Sequence, residues 1–167
     1  MKIKNEQIKF CPICGTPIKN ISPSDHPACP NDHFVWYQDP KVAVGTLVQK
    51  DEKLLLVRRK FPPHTNEWSY PSGFVDAGEE VEDAAKREVF EETNINVQMD
   101  KLLGVYSSTG DDTIFIAYSA TAINENIVNG PESIDVSWFE VNQLPPLAFE
   151  HDNKILQRWK DLYWKSS

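Results

Sequence analysis

Alternation of apolar and polar positions begins at Val42, just past the punctuating pair Asp39 and Pro40. Val42 to Val48, the polar turn "QKDEK", and Leu54 to Arg59 read as two neighbouring strands of β-type composition. The Pro-rich stretch "KFPPHTNEWSYPSG" reads as an exposed loop able to carry function. Three further β-rich runs follow, "LLGVYSST", "TIFIAYSATAI" and "DVSWFEV", separated by "GDD" and "NENIVNGPES". In "EHDNKILQRWKDLYWKSS", Ile155, Trp159 and Leu162 or Tyr163 recur at helical spacing, an aromatic stripe read as core packing. The sum is a mixed sheet with helices packed on it, in one main domain with a small appendage.

Residues 73–95, "GFVDAGEEVEDAAKREVFEETNI", break the rules of an ordinary helix. Gly78 and the following acids suit a helix start, Asn94 suits a left-handed stop, and the helix should span residues 80–93. Glu88, Glu91 and Glu92 then crowd its last turns, where the macrodipole is negative and favours Lys or Arg. At about 100° per residue, Val81, Ala85 and Val89 form an apolar stripe, and Glu88 and Glu92 share that face while Glu91 flanks it. A solvated acidic face would point the other way. Carboxylates at i, i+3 and i+4 project together and suit a hard divalent cation such as Mg²⁺, which offsets both their repulsion and the dipole. Arg87 is placed to fix carboxylate orientation or reach the preceding loop, Glu79 to cap the first turn or act as a mobile acid, and Gly73 and Gly78 to let the loop bend tightly.

The first forty residues carry all three cysteines, an odd number that cannot all pair within one chain. "FCPICG" is Cys-x2-Cys before Gly, the knuckle that lets Cys11 and Cys14 meet one tetrahedral Zn²⁺. "ACPNDHF" offers Cys29 and, as fourth ligand, His33 first, Asp32 second and His26 third. Four protein ligands leave no open position, so such a zinc is structural. The organisation expected is a zinc ribbon over residues 1–38 and a main domain over 39–167.

Charge narrows the partners. A net charge of −8, from 25 acidic against 17 basic residues, argues against nucleic acid, because phosphate neutralisation takes clustered Lys and Arg. If the ligand is a phosphate, a metal must mediate. No apolar run is long enough for a membrane span and "MKIKNEQIKFCPICG" lacks an apolar signal core, so a cytoplasmic protein away from membranes is expected.

The stretch resembles the Nudix box, Gly-x5-Glu-x7-Arg-Glu-apolar-x-Glu-Glu-x-Gly-apolar, with Gly73, Glu79, Arg87, Glu88, Val89, Glu91, Glu92 and Ile95 in register. Asn94 stands where the family has Gly; Asn also visits the left-handed conformation. "FCPICG" with "CPNDHFVWYQDPKVAVG" is similar to the zinc ribbon of a subgroup containing NADH pyrophosphatases and small ADP-ribose or FAD hydrolases, in which a Cys commonly stands at the position of Asp32. The resemblance implies an α/β Nudix-type mixed-sheet sandwich, and a metal-dependent pyrophosphohydrolase acting on a nucleoside diphosphate linked to another moiety, ADP-ribose or FAD-like. It implies Mg²⁺ or Mn²⁺ at Glu88, Glu91 and Glu92, structural Zn²⁺ at Cys11, Cys14, Cys29 and His33, and a possible homodimer.

The general base under this resemblance is Glu88, Glu79 or Glu132, and Arg58 and Arg59 are candidates for phosphate contact. Phe34, Trp36, Tyr37, Trp68 and Phe74 are aromatics available to stack on a base, Phe74 being the substrate-binding candidate, and most of them should be core. The Ser-Gln-Pro-Trp-Pro-Phe-Pro array of the NADH-specific branch has no counterpart in "KLLGVYSSTGDDTIFIAYS". The rival expectation is a nucleotide-sensing, or nucleic-acid- or protein-binding, module without turnover.

Overall fold

The computed structural model describes residues 8–18, 26–37 and 39–163. Residues 1–7, on which the expectation of no signal peptide partly rests, and Gln38, where the first domain was expected to end, lie outside the described residues. The chain divides into two compact units, Met1–Pro40 and Lys41–Ser167.

In the first unit two turns of similar construction present thiols. Cys11 N–H donates to the Thr16 carbonyl at 2.8 Å, and Cys29 N–H to the Phe34 carbonyl at 2.7 Å. Each turn is closed by a single bridge, Phe10 with Pro17 and Ala28 with Val35. Cys11 and Cys29 are buried beside Ile18, and the sulfurs of Cys11, Cys14 and Cys29 lie within 4.8 Å of one another.

The second unit contains β1 (Lys41–Lys50), β2 (Lys53–Arg59), β3 (Trp68–Ser69), β4 (Ser72–Phe74), α1 (Val81–Thr93), β5 (Val97–Tyr106), β6 (Thr113–Ala122), β7 (Ser133–Glu140) and α2 (Glu150–Tyr163). β1 is the hub: it runs parallel to β6 from Lys41 opposite Thr113 to Gln49 opposite Thr121, antiparallel to β4 at Ala43–Gly45, and antiparallel to β2 at Gln49 and Lys50. β3 and β7 pair with β2, and β5 forms an edge on β6. The sheet is mixed, as expected.

Successive strand residues point to opposite faces, and here both faces are covered. Leu54 and Leu56 of β2 join Leu47, Ile155 and Trp159, whereas Leu55 and Val57 join Val48, Val89 and Ile95. Thus α2 packs on one face and α1 on the other, which explains why β2 is a continuous apolar run rather than an alternating one. Trp159 is core, as its spacing implies, and its indole N–H donates to Gln49 Oε1 at 3.1 Å.

Two expectations change. The Pro-rich segment is not wholly loop: β3 and β4 lie within it, formed by pairing with β2 and β1 rather than by local propensity. β5 starts at Val97, well before the apolar run at Leu102; register shifts after Met99 and Leu102 break the alternation that would mark it. No helix among the described residues is long and apolar enough to cross a membrane.

Candidate active site

The site is built where α1 ends. Ala84, Ala85 and Val89 are fully buried, which fixes the rotation of the helix and turns Glu88 and Glu92 inward. Their exposure follows the predicted order: Glu92 is 8% exposed, the Glu88 side chain 15%, and the Glu91 side chain 55%. Asn94 caps the helix in the left-handed region, φ 61 and ψ 18, donating its N–H to the Phe90 carbonyl at 2.8 Å.

The last turn carries no basic residue, yet the carbonyls of Glu92 and Thr93 are satisfied. The loop before β7 supplies the donors: Val128 N–H to Thr93 O at 3.0 Å and Gly130 N–H to Glu92 O at 2.9 Å. A Cβ on Gly130 would overlap the Glu91 carbonyl, so this approach needs glycine.

Gly73 plays a different part from the bend expected of it. It pairs with Val44 in β4, and a Cβ there would overlap the carboxyl group of Glu88. The turn itself falls to Gly78, φ 86. Ser72 N–H donates to Glu92 Oε2 at 2.9 Å. Both inner carboxylates therefore rest against the β4 backbone.

Arg87 holds the cluster together. Its Nε and Nη2 donate to the two oxygens of Glu79 at 2.8 and 2.9 Å, Nη1 donates to Glu88 Oε1 at 2.7 Å and Glu91 Oε2 at 3.3 Å, and Nη2 also reaches the Phe74 carbonyl at 3.1 Å. Glu79 thus pairs with Arg87 and the Asp76 N–H instead of capping α1. The N-cap is Glu80, whose side chain makes no capping bond. The Arg87 fork, helped by the Asp76 N–H, holds Glu79 down to about 2.

The inner acids behave in the opposite way. Burial pushes Glu92 up to about 8, with the charges of Glu88 and Glu132 adding to the push and Arg59 opposing it. Burial also raises Glu88, against the pull of Arg87. Buried carboxylates short of positive charge are the donor set a hard divalent cation completes. The residues fit such an ion.

These acids line a cleft of about 1100 Å³. Of the basic candidates, Arg59 lines it and Arg58 does not, turning instead to donate to the Asn66 carbonyl at 3.2 Å. Lys60 and Lys154 join Arg59 on the wall, and Glu132 is exposed along it. Of the aromatics singled out in this unit, Phe74 faces the cleft, 52% exposed with Lys41 Nζ 4.9 Å from its ring centre, while Trp68 packs against the core and Phe139.

Most of the aromatic wall escaped sequence reasoning. Tyr106, Phe115, Phe149 and His151 supply it. His151 sits four residues before core Ile155, where the stripe reads as interior; the first turn of α2 runs past the core into the cleft.

Among the expected zinc ligands only the three cysteines are brought together. A hydrogen bond from the Thr16 hydroxyl is the main cause that brings Cys14 down to about 5, with the His33 side chain contributing, and burial raises Cys29. The His33 side chain therefore stands beside Cys14. Asp32 has φ 56 and donates its N–H to the Cys29 carbonyl at 3.0 Å, and His26 packs on Tyr37 at 4.6 Å.

Known proteins resemble this chain in sequence and fold. The NUDIX domain model matches residues 39–159. An ADP-ribose pyrophosphatase of Methanocaldococcus jannaschii is 39% identical over 131 residues, 75% of this chain and 78% of that protein. The NAD-capped RNA hydrolase NudC of Pseudomonas aeruginosa is 30% identical over 160 residues, 93% of this chain; the match spans 55% of that longer protein. A crystal structure of a NUDIX hydrolase from Nitrosomonas europaea superposes with a TM-score of 0.85 at 28% identity, covering 96% of each chain. With the box residues in register and the family model covering most of its length, this chain belongs to the Nudix hydrolase family.

Proposed function

We propose that this protein is a metal-dependent pyrophosphohydrolase that cleaves the diphosphate of a nucleoside diphosphate linked to another moiety, ADP-ribose first and FAD next, releasing a nucleoside monophosphate. One observation carries the reading: Glu88 and Glu92, largely buried and raised by that burial, face the same cleft as Arg59, Lys60 and Lys154. Glu88 and Glu92 are direct ligands of Mg²⁺ or Mn²⁺ in this reading, with Glu91 a further ligand. The cation, when bound, supplies charge neutralisation of the diphosphate and activation of water.

The chain's own residues do the remainder. Arg87 fixes the orientation of Glu88 and Glu91, and Arg59 is available to a phosphate oxygen. A water oxygen bonds to one phosphorus while the bridging P–O bond breaks; the departing phosphate keeps the electron pair, and a proton passes to the base. Glu79 is a poor base because both its oxygens are engaged by Arg87 and it stays ionised down to about 2. Glu88 and Glu132 remain.

ADP-ribose stands first because the archaeal relative carries that name at 39% identity. A second substrate, NAD-capped RNA, is favoured by the NudC match reaching 93% of the chain, and disfavoured by the charge of −8. In the first unit, Cys11, Cys14, Cys29 and His33 would hold a structural zinc over residues 1–38, ahead of the catalytic domain over 39–167. Free thiols suit a reducing cytoplasm.

The test is turnover of ADP-ribose, FAD, NADH, nucleotide sugars and NAD-capped RNA with Mg²⁺ or Mn²⁺, products identified by mass. A nucleoside monophosphate from ADP-ribose or FAD supports the reading. Tight binding of these compounds without hydrolysis under either metal would make the protein a nucleotide-binding module instead.

A further inference from the structure

Asn94 is the position at which the box departs from its pattern, Asn for Gly, and its side chain is put to use. In the left-handed conformation, φ 61, Asn is less at ease than Gly, so its side chain has to offer something glycine lacks. Its amide Nδ2 donates to the Asn126 carbonyl at 3.0 Å. Two further bonds stitch the same segment down: Asn124 Nδ2 donates to the Asn94 carbonyl at 3.2 Å, and the Asn96 N–H donates to Asn124 Oδ1 at 2.7 Å. These two use only the backbone of residues 94 and 96, and a glycine at position 94 would keep both. The Asn126 bond alone depends on the Asn94 side chain.

The segment so anchored runs on to the carboxylates. Beyond Asn126, the Val128 and Gly130 N–H groups reach the carbonyls of Thr93 and Glu92, and the Ser133 hydroxyl donates to the Glu92 carbonyl at 3.4 Å. From β2, the Lys60 N–H donates to the Glu132 carbonyl at 3.1 Å and Lys60 Nζ to the Pro131 carbonyl at 3.0 Å. Glu132 is exposed along the cleft, and its charge acts on both Glu88 and Glu92. It stands just before β7, on a turn rather than on a helix or strand, so its position follows the path of the loop. A loop pinned to the residue that ends α1 stays in register with the helix that carries the other acids.

We propose that Asn94 is a positioning residue: its amide, bonded to Asn126, holds the loop that brings Glu132 to the carboxylate end of the cleft. The helix stop and the placement of a distal acid are then one device, and glycine could serve only the first part of it. The inference rests on the pyrophosphohydrolase reading and deepens it, since it requires Glu132, rather than Glu88, to take the proton from the attacking water.

The experiment follows hydrolysis of ADP-ribose, or of whichever nucleoside diphosphate derivative the wild type turns over, by the wild type, Asn94→Gly and Asn94→Asp, each also combined with Glu132→Gln. Asn94→Gly keeps the left-handed stop without strain, and Asn94→Asp keeps the shape but has no N–H to donate, so both should fold. Each should lower kcat about 5-fold, the scale of one hydrogen bond, with KM little changed. In the Glu132→Gln background neither should lower kcat further, because the loop then has no acid to place. Hydrogen exchange gives a reading without turnover: the Val128 and Gly130 amides should exchange faster in Asn94→Gly, and those of α1 should not. Wild-type kcat in Asn94→Gly, the same fold loss with and without Glu132, a loss confined to KM, or unchanged exchange would overturn the assignment. If the wild type hydrolyses no nucleoside diphosphate derivative, the functional reading fails; turnover indifferent to Asn94→Gly sinks only the Asn94 assignment.

Discussion

Gly73 lies against the Glu88 carboxyl group so closely that a single β-carbon on Gly73 would occupy the same space. The strand residue thus sets the position of a carboxylate fifteen places later in the chain, across the gap between β4 and α1. Gly73→Ala should displace Glu88 while leaving the core intact. A misplacement on the order of 1 Å at a reacting centre costs about 100-fold, so kcat should fall by about that factor while the thermal midpoint moves little. Steady-state kinetics beside a thermal melt checks this, and full activity in the variant would show that Glu88 need not sit there.

On the proposed reading Glu79 acts as a positioning residue rather than a proton carrier. Its bidentate bond with Arg87 is the widest grip that arginine makes, and it stays charged down to about 2. Glu79→Gln should lower kcat roughly 10-fold through a loosened Arg87, on the scale of general positioning effects, without moving either limb of the pH–rate profile. A limb that disappears in Glu79→Gln would make it the base after all.

Asp152 gives stability a pH dependence of its own. Burial lifts its folded-state pKa from 3.8 to about 6, although the Phe149 N–H bond, Arg59 and His64 pull the other way. A carboxyl group raised in the folded state favours folding fully below pH 3.8 and loses that contribution as pH rises through about 6. Asp152→Asn, which can still accept the Phe149 N–H, should therefore gain on the wild type between pH 4 and 7.5, by on the order of 2–3 kcal/mol. Denaturant unfolding at the two pH values measures the difference; an unchanged gap would contradict it.

In the first unit the three sulfurs already lie within 4.8 Å, as a shared metal requires. Elemental analysis should find about one zinc per chain, lost in Cys11→Ser and Cys29→Ser. His33→Ala should lower zinc retention under a chelator if His33 closes the tetrahedron. Unaltered retention would pass that role elsewhere, and zinc-free wild type would reduce the cysteines to packing.

The acidic helix α1 was legible because its information is local. Periodicity placed Val89 and Glu92 on one face, the left-handed Asn94 ended the helix, and Arg87 lay four residues before Glu91. What stayed hidden depends on tertiary pairing. β3 and β4 form only because β2 and β1 lie beside them, and the role of Gly73 needs the packing of α1 on β4. Arg58 and Arg59 are adjacent in sequence at the end of β2, where a register shift falls between them, and only Arg59 lines the cleft. His151 occupies a core-like helical position, so no spacing could distinguish it from the buried stripe that ends at Trp159.

The most direct measurement is hydrolysis of ADP-ribose with Mg²⁺ by the wild type and by Glu92→Gln, which keeps the shape of the side chain and an acceptor for the Ser72 N–H. The expected result is AMP from the wild type, and a kcat lower by about 1000-fold or more in the variant, the scale of losing a major electrostatic contribution to the transition state. Equal turnover by the two proteins would contradict the assignment of Glu92 and, with it, the carboxylate site at the end of α1.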